Sequence, residues 1–203
     1  MKRITLAITG ASGAIYALRT LRALLIAGCH VDLIVSDYGW MLLKEEASFD
    51  GKRSDLLSFL VAAYGQGVEV GELEQHAFHD LASPLASGSA RSDGMAVVPC
   101  TMKALSGIAH GASGNLIERA ADVALKERRT LVLVPREAPF NLIHLRNMVA
   151  AAEAGAVILP AMPAFYQKPR TFDDLADFIA GRILNLLHIP HELFQPWKSE
   201  PEE

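Results

Sequence analysis

Short runs of apolar, mostly β-branched residues recur along the chain, and they constrain its fold more than any other feature. Such runs are typical of strands buried on both faces of a sheet, and helical patterns lie between them. The predicted strands are residues 4–9, 31–36, 95–99, 131–135 and 156–160, and the predicted helices are residues 14–27, 116–128, 142–154 and 172–187. This alternation predicts an α/β fold: a Rossmann-like (flavodoxin-like), doubly wound, mainly parallel sheet with helices on both faces.

The length of 203 residues favours one domain. We expect residues 1–190 to form a single α/β domain and residues 191–203 to form a tail. The tail carries Phe194 and Trp197, and we expect it to pack on a neighbouring subunit. Between Trp40 and Ser92 we expect loops with at most one short edge strand, apart from a helix-like stretch around residues 54–63.

The overall composition excludes several classes of function. A net charge of -4 with dispersed basic residues indicates no basic surface that would bind nucleic acid or an anionic membrane. No stretch of 18 or more uninterrupted apolar residues occurs to span a bilayer. The two cysteines, Cys29 and Cys100, have no metal-ligand spacing, so neither a disulfide framework nor a zinc site is indicated. We therefore expect a cytoplasmic protein.

The segment of residues 9–14 joins the first predicted strand to the first helix. Its backbone N–H groups and the helix dipole can receive an anion, for which phosphate is the obvious candidate. The segment departs from G-x-G-x-x-G because Ser12 stands where the second glycine should be. The alternative is a tight turn that only packs helix on strand. Asp37 follows the second strand and can bind a ribose, so an NAD site stays open.

Two further segments follow predicted strands at the ligand-bearing edge of the sheet. Residues 99–105 offer a hydroxyl and backbone amides that can hold a flavin or its phosphate, or they form an ordinary strand-to-helix loop. Arg136 and Glu137 emerge from the fourth strand, where catalytic residues of open sheets collect, although structural ion pairing is the alternative. Tyr166 and Lys168 follow the last strand at the same edge.

Isolated cations on two predicted helices form a second set of candidates. Arg119 and Lys126 are seven residues apart and share a helix face with Asp122 between them. They either converge on one anion or form a solvated face of ion pairs. Arg182 lies in an otherwise apolar helical run, where a bound phosphate would relieve the cost of burying its charge. The alternative is an arginine that extends along the exposed stripe into solvent.

Taken together, these segments resemble the flavin prenyltransferases of the UbiX type, within the wider group of homo-oligomeric flavin-containing cysteine decarboxylase-like proteins. The likeness runs over most of the chain, and it rests on residues 9–13, 86–89, 115–129, 134–140 and 159–166. It implies transfer of a dimethylallyl group from dimethylallyl phosphate to N5 and C6 of reduced FMN, without a metal. It also implies a homo-oligomer, in the form of a dodecamer, and a UbiD-type decarboxylase as recipient of the prenylated FMN, in ubiquinone biosynthesis or a related pathway.

The resemblance also implies the roles of individual residues. The FMN-binding residues would be Gly10, Ala11, Ser12, Ser36, Thr101, Met102, Lys103, Ala104 and Arg136. The residues that bind the prenyl donor would be Tyr166, Arg182, Lys126, Arg119, Ser87 and Gly88, and the catalytic residues would be Ser12, Glu46, Arg119, Lys126, Glu137 and Trp197. A cluster of Lys126, Arg119, Arg182 and Tyr166 would stabilise charge on the departing phosphate. The chain lacks the repeated Asp-rich motifs that bind metal in diphosphate-using prenyltransferases. Its one Asp pair, Asp173 and Asp174, is explained by a helix start capped by Thr171.

Three other functions remain open at this point. A flavin-dependent cysteine decarboxylase-like enzyme would carry a Pro-x-Met-Asn passage, but here Pro163 follows Met162 directly. An NAD(P)-binding oxidoreductase is favoured by the first strand-loop-helix segment and by Asp37. A non-catalytic flavoprotein would bind FMN but would need no second phosphate pocket.

Overall fold

A computed structural model describes residues 1–195 and Trp197, apart from the side chain of Gln66. The strands are β1 (Arg3–Ile8), β2 (His30–Val35), β3 (Glu72–His76), β4 (Gly94–Cys100), β5 (Leu131–Pro135) and β6 (Val157–Ile158). The helices are α1 (Ala14–Ile26), α2 (Asp37–Ala47), α3 (Leu56–Tyr64), α4 (Met102–Ala109), α5 (Leu116–Lys126), α6 (Leu142–Glu153) and α7 (Phe172–Leu186).

All six strands run parallel in one sheet with the order β3-β2-β1-β4-β5-β6. The five strands other than β3 follow the flavodoxin order, and the edge strand β3 extends it to the Rossmann order. The predicted α/β fold is therefore confirmed. The chain reverses direction across the sheet between β1 and β4, and this switch point is where open sheets bind ligands.

Helices cover both faces of the sheet, and alternate strand residues point to each face. On the first face Ile4, Leu6 and Ile8 of β1 pack with α1, α3 and α7. On the second face Ala7 of β1 packs with α4, α5 and α6. Helices α5 and α7 therefore lie on opposite faces of the sheet, which decides how their charged residues are placed.

The segment between Trp40 and Ser92 contains more regular structure than we predicted. The expectation of a loop is wrong for α2, where only Gly39 and Leu43 are buried, because so weak an apolar periodicity does not indicate a helix. The helix-like stretch and the edge strand are confirmed as α3 and β3. The last predicted strand shrinks to the two residues of β6. No helix among the described residues is long and apolar enough to cross a membrane.

Asp32 is a fully buried carboxylate in the middle of β2. Arg3 donates its Nε to Oδ2 at 2.6 Å and its Nη2 to Oδ1 at 2.6 Å, and His76 Nε2 lies 2.8 Å from Oδ1. Burial opposes ionisation, but the hydrogen bonds with His76 and Arg3 hold the pKa of Asp32 below its usual range. One carboxylate thus ties β1, β2 and β3 together.

We expect Asp32→Asn to lower the free energy of unfolding by about 3 kcal/mol, since removing one partner of a buried ion pair leaves its counterpart unmatched. Glu74→Gln is the matched control, because Glu74 also accepts from Arg3 Nη2, at 2.9 Å, but its side chain is 49% exposed. The control should lower the free energy of unfolding by less than about 1 kcal/mol. Denaturant midpoints at one fixed protein concentration measure both values. Equal losses in the two variants would contradict the role of burial.

Candidate functional site

A cleft of about 290 Å³ opens at the carboxyl ends of β1 and β4, at the switch point of the sheet. Five of the nine residues predicted to bind FMN line it: Gly10, Ser36, Thr101, Lys103 and Ala104. The cleft lies just below the range of about 300–1000 Å³ that is usual for ligand pockets. The described residues thus form a cleft that is close in size to an ordinary ligand pocket.

Helix N-termini converge on this cleft, and each is capped by a side chain. Ser36 Oγ accepts from the backbone N–H of Gly39 at the start of α2, and Thr101 Oγ1 accepts from Ala104 at the start of α4. Asn115 Oδ1 caps α5 in the same way. The positive ends of three helix dipoles and the ammonium group of Lys103 thus face one space, which favours an anionic ligand.

Thr9 fixes the geometry at the base of the cleft. Its buried hydroxyl donates to the carbonyl of Pro99 at 2.7 Å and accepts from the backbone N–H of Thr101 at 2.9 Å. The backbone N–H of Thr9 also donates to the Pro99 carbonyl. The ends of β1 and β4 are therefore joined by a threonine that the sequence places at the end of the first predicted strand and the start of the loop.

The loop after β1 binds an anion, but that anion belongs to the chain itself. Glu46 Oε2 accepts from the backbone N–H groups of Gly13 and Ala14, each at 2.8 Å. The expectation that phosphate occupies these amides is therefore wrong, because the Glu46 carboxylate already holds them. Partial burial opposes ionisation of Glu46, but bonds from Ala14, Ser12 and Gly13 and the charge of Arg136 keep its pKa below the usual range.

The same contacts argue against an NAD(P) site. Dinucleotide-binding folds place the pyrophosphate at the N-terminus of the first helix. A diphosphate there would meet the Glu46 carboxylate, which is ionised at neutral pH because its pKa is lowered. Asp37 has its own partners, since His79 Nε2 lies 3.3 Å and Arg53 Nη2 lies 3.5 Å from its oxygens.

The predicted pair Arg136 and Glu137 leaves β5 beside this loop. Arg136 Nε is buried, and no described residue accepts its proton. A buried unpaired guanidinium donor is costly, so this atom fits the oxygen of a bound ligand. Glu137 is exposed, and its Oε1 accepts from the backbone N–H of Ala138 at 3.0 Å.

The predicted cations of α5 lie against the loop that contains Ser87 and Gly88. Arg119 Nε donates to the carbonyl of Ala86 at 3.0 Å, and its Nη1 donates to Asp122 at 2.6 Å. Lys126 pairs with Glu127 rather than with Asp122. A Cβ atom at Gly88 would lie 2.5 Å from Lys126 Nζ, so the glycine allows the lysine to reach this loop.

Tyr166 and Trp197 meet at the other candidate region, near α7. Their ring centroids are 4.8 Å apart in an edge-on arrangement, and Tyr166 also contacts Phe178 at 6.0 Å. Arg182 is exposed on α7 and has no hydrogen bond or ion pair to any described residue. The alternative of an arginine on the exposed stripe is therefore confirmed for the single chain, and its guanidinium is available to a ligand.

The described part of the tail packs on α7 of its own chain at Gly181. A Cβ atom there would lie 2.5 Å from Phe194 Cε1 and 2.7 Å from His191 Cε1. The Phe194 ring lies 5.0 Å from that of Phe178, and Gln167 Nε2 donates to the carbonyl of Gln195 at 2.6 Å. Contact of the tail with a neighbouring subunit stays a prediction.

We expect Gly181→Ala to loosen this tail. Overpacking lowers the free energy of unfolding by about 1–3 kcal/mol, whereas alanine in place of glycine in a helix raises it by about 1 kcal/mol. The free energy of unfolding of the variant should therefore fall by up to about 2 kcal/mol. The chain has two tryptophans, so acrylamide quenching in a Trp40→Phe background reports on Trp197 and should increase. Gly181→Ala with Phe194→Leu makes room for the methyl group and should recover the parent quenching. Equal quenching in all three proteins would contradict the packing role of Gly181.

The structure does not bring the predicted phosphate cluster together within one chain. Arg119 and Lys126 belong to α5 on the second face of the sheet, whereas Arg182 belongs to α7 on the first face. The expected convergence of these cations with Tyr166 is thus wrong for a single subunit. Convergence of these four side chains on one phosphate would take residues from more than one subunit.

Several cleft residues were missed by the sequence reasoning: Tyr38, Phe78, His79, Ile117 and Glu118. Glu118 is buried, and its Oε2 accepts from the backbone N–H of Gly114 at 2.8 Å. The spacing of Asn115 and Glu118 is that of a helix cap, so this signal could have been found. Phe78 and His79 follow an edge strand whose pattern gave no hint of a site.

Comparison with known proteins decides the family. The sequence matches the Flavoprotein family over residues 1–184. It is 47% identical over 196 residues to the flavin prenyltransferase UbiX of Halalkalibacterium halodurans, which covers 97% of this chain and 93% of the relative. The chain belongs to the UbiX family of flavoproteins. The predicted resemblance to this family is confirmed.

Solved structures of the UbiX family agree with the fold over nearly the whole chain. AnUbiX (PadA1), solved in complex with FMN and dimethylallyl pyrophosphate, matches with a TM-score of 0.86 and 41% identity and covers 98% of both chains. The dodecameric FMN-dependent UbiX-like decarboxylase from Escherichia coli O157:H7 matches with a TM-score of 0.84 and 36% identity over 97% of this chain and all of that one.

Proposed function

We propose that this UbiX-family protein is a flavin prenyltransferase that transfers a dimethylallyl group from dimethylallyl phosphate to reduced FMN. The observation that carries the proposal is the cleft at the switch point of the sheet, on which the capped N-termini of α2, α4 and α5 converge. At the loop after β1, the Glu46 carboxylate is fixed on the α1 amides and is near Arg136, whose buried Nε has no partner among the described residues. A relative named flavin prenyltransferase and a solved structure in complex with FMN and dimethylallyl pyrophosphate support the same function.

The cleft fits FMN through its own residues. The capped N-termini of α2 and α4 and the ammonium group of Lys103 attract the phosphate. Gly10 allows the loop after β1 to lie directly against Tyr38 of α2, because a Cβ atom at Gly10 would lie 2.3 Å from Tyr38 Cβ. Arg136 Nε donates to a ligand oxygen, while Ala11, Ser12 and Met102 complete the FMN contacts that we propose.

When bound, reduced FMN would supply the electron-rich N5 and C6 that take up the dimethylallyl group. Phosphate would leave with the electron pair of the ester C–O bond; the protons on N5 and C6 would be released, and one proton would be added to the prenyl double bond when the ring closes. The Glu46 carboxylate and the Ser12 hydroxyl would hydrogen-bond near N5 and orient the ring. Glu137 is exposed at the end of β5 and accepts a released proton or returns one to phosphate. Trp197 offers a ring face to the allylic cation.

The departing phosphate is stabilised by cationic side chains from more than one subunit. Arg119 and Lys126 lie beside Ser87 and Gly88, and all four belong to one half of the donor site that we propose. Arg182 and Tyr166 form the other half. Charge-assisted hydrogen bonds from such groups stabilise developing negative charge, so the transfer itself needs no metal ion.

A homo-oligomer is the assembly that joins these halves, and we propose a dodecamer. Helix α6 exposes large apolar side chains on its outer surface: Leu142, Ile143, Leu145 and Val149. An apolar surface of this kind favours contact between subunits. The dodecameric relative from Escherichia coli supports the same assembly.

The prenylated FMN would pass to a UbiD-type decarboxylase, in ubiquinone biosynthesis or a related pathway. We propose that this takes place in the cytoplasm. Cys29 and Cys100 are buried and unpaired, and burial raises the pKa of Cys100 to about 12. Unreactive free thiols agree with a reducing compartment.

Anaerobic incubation with reduced FMN and dimethylallyl phosphate tests the proposal. Mass analysis of the extracted flavin should show a gain of one prenyl unit. We expect Glu137→Gln to lose this product and Lys126→Ala to form it at least about 100-fold more slowly, the low end for loss of a catalytic group. An unchanged flavin mass in the FMN-bound wild-type protein would refute the function.

A further inference from the structure

A second cluster of metal-ligating side chains lies on the edge strands, and it shares no residue with the cleft. His30 and Asp32 of β2 face Glu74 of β3, and one ligand atom from each lies within 4.8 Å of the other two. His76, the last residue of β3, adjoins them: its Nε2 lies 2.8 Å from Asp32 Oδ1 and 3.8 Å from Glu74 Oε1.

The separations between these atoms match those of a zinc site. In a tetrahedral site with metal–ligand bonds of about 2.0 Å, neighbouring ligand atoms lie about 3.3 Å apart. His30 Nε2 lies 3.6 Å from Asp32 Oδ1 and 3.2 Å from Glu74 Oε2. His76 Nε2 lies 2.8 Å from Asp32 Oδ1, so three edges that join one atom of each side chain fall between 2.8 and 3.6 Å; the 3.8 Å contact of His76 is with the other Glu74 oxygen, Oε1. The four side chains need little movement to surround one ion.

Both histidines are oriented as metal ligands usually are. Each presents Nε2 to the centre of the cluster, while its Nδ1 has a partner outside it: Glu72 Oε2 lies 2.8 Å from His30 Nδ1, and Ser83 Oγ lies 3.1 Å from His76 Nδ1. Outer partners of this kind fix the tautomer of a ligating histidine.

Arg3 supplies one positive charge to this cluster, but the carboxylates outnumber it. Its Nη2 lies 2.6 Å from Asp32 Oδ1 and 2.9 Å from Glu74 Oε2, so it spans two of the oxygens that an ion would take. Two carboxylates, Asp32 and Glu74, face this single guanidinium, and a third, Glu72, pairs with His30 beside them. The Arg3 side chain is 32% exposed, so Nη2 can withdraw while Nε keeps its bond to Asp32 Oδ2.

We propose that His30, Asp32, Glu74 and His76 bind a divalent transition-metal ion of the zinc type, in exchange for the Nη2 contacts of Arg3. Two imidazole nitrogens with two carboxylate oxygens favour zinc over magnesium, which prefers six oxygen ligands. The ion fastens the edge strand β3 to β2. Through His76 it also steadies the start of the segment that carries Phe78 and His79 to the cleft.

Titration of the untagged full-length protein with Zn²⁺ tests this site. We expect saturable binding of one ion per chain. At a free concentration about a hundredfold above Kd, the unfolding temperature should rise by about 5–10 °C. Mg²⁺ at the same concentration should leave the unfolding temperature unchanged. Absence of saturable zinc binding, or an equal shift with Mg²⁺, would overturn the proposal.

Variants locate the ion. Glu74→Gln and His30→Ala should each weaken zinc binding about tenfold or more, whereas Glu69→Gln, an exposed glutamate just before β3, should not change it. Arg3→Gln should bind zinc more tightly than the wild type, because it removes the competing cation; a simple ion-pair network predicts no such gain. Glu74 is largely exposed, so its variant is expected to fold even if the His30 variant does not. Unchanged affinity in Glu74→Gln, or weaker binding in Arg3→Gln, would contradict the site.

Discussion

Glu46→Gln is expected to slow prenyl transfer by about 10²–10³-fold, which is the usual cost of removing one preorganised electrostatic group. The amide oxygen of glutamine can still accept from Gly13 and Ala14, so the loop should keep its shape while the negative charge beside N5 is lost. FMN affinity should change much less than the rate. Single-turnover transfer and flavin fluorescence titration measure the two quantities separately.

Glu45→Gln is the matched control for this variant. Glu45 precedes Glu46 on α2 and is also exposed, but the loop amides are bound by Glu46. The control should keep nearly full activity. The pKa of Glu46 is lowered, so its carboxylate stays ionised as the pH falls from neutrality to about 5, and the rate should not decline there through its protonation. Equal loss of rate in both variants would show that the carboxylate on the loop has no special role.

Co-expression of two inactive variants is expected to restore transfer. Arg119→Ala and Arg182→Ala should each lose at least about 100-fold in rate alone, since each removes a cation from the phosphate site. Arg119 and Arg182 lie on opposite faces of the sheet, so different subunits must supply them to one site. In a random one-to-one assembly about a quarter of the sites receive both native arginines, and about a quarter of wild-type activity should return.

A second mixture controls for this recovery. Arg119 and Lys126 both lie on α5, so one subunit supplies both to a given site. Co-expression of Arg119→Ala with Lys126→Ala should therefore leave every site with one defect, and no recovery is expected. Recovery of transfer activity in this control would contradict the shared donor site. Absence of recovery in the mixture of Arg119→Ala with Arg182→Ala would contradict it as well. Purification through a different affinity tag on each variant should first establish that the mixed oligomers form.

The sequence predicts the sheet of this protein well because its strands are buried on both faces. A strand such as β5, with every residue buried, reads as an unbroken apolar run. Helix α2 escapes prediction because it buries only Gly39 and Leu43. The apolar run at residues 156–160 is longer than strand β6, which has only two residues, so the run does not indicate where the strand begins and ends.

The site is predictable where it follows strand ends and less so where it depends on distant segments. Ser36 and Thr101 follow β2 and β4 directly, so the topology alone brings them to the cleft. The contact of Glu46 with the α1 amides joins two elements whose relative placement no local pattern reports. The division of Arg119 and Arg182 between two faces likewise follows from helix order across the sheet rather than from residue spacing.

The Thr9 hydroxyl, held between Pro99 and Thr101, joins the ends of β1 and β4 at the base of the cleft. This joint fixes the spacing of the loops that begin at Gly10 and Thr101, so a flavin has to fit a preset gap there. Flavin analogues with bulkier groups at that end are therefore expected to bind more weakly than FMN.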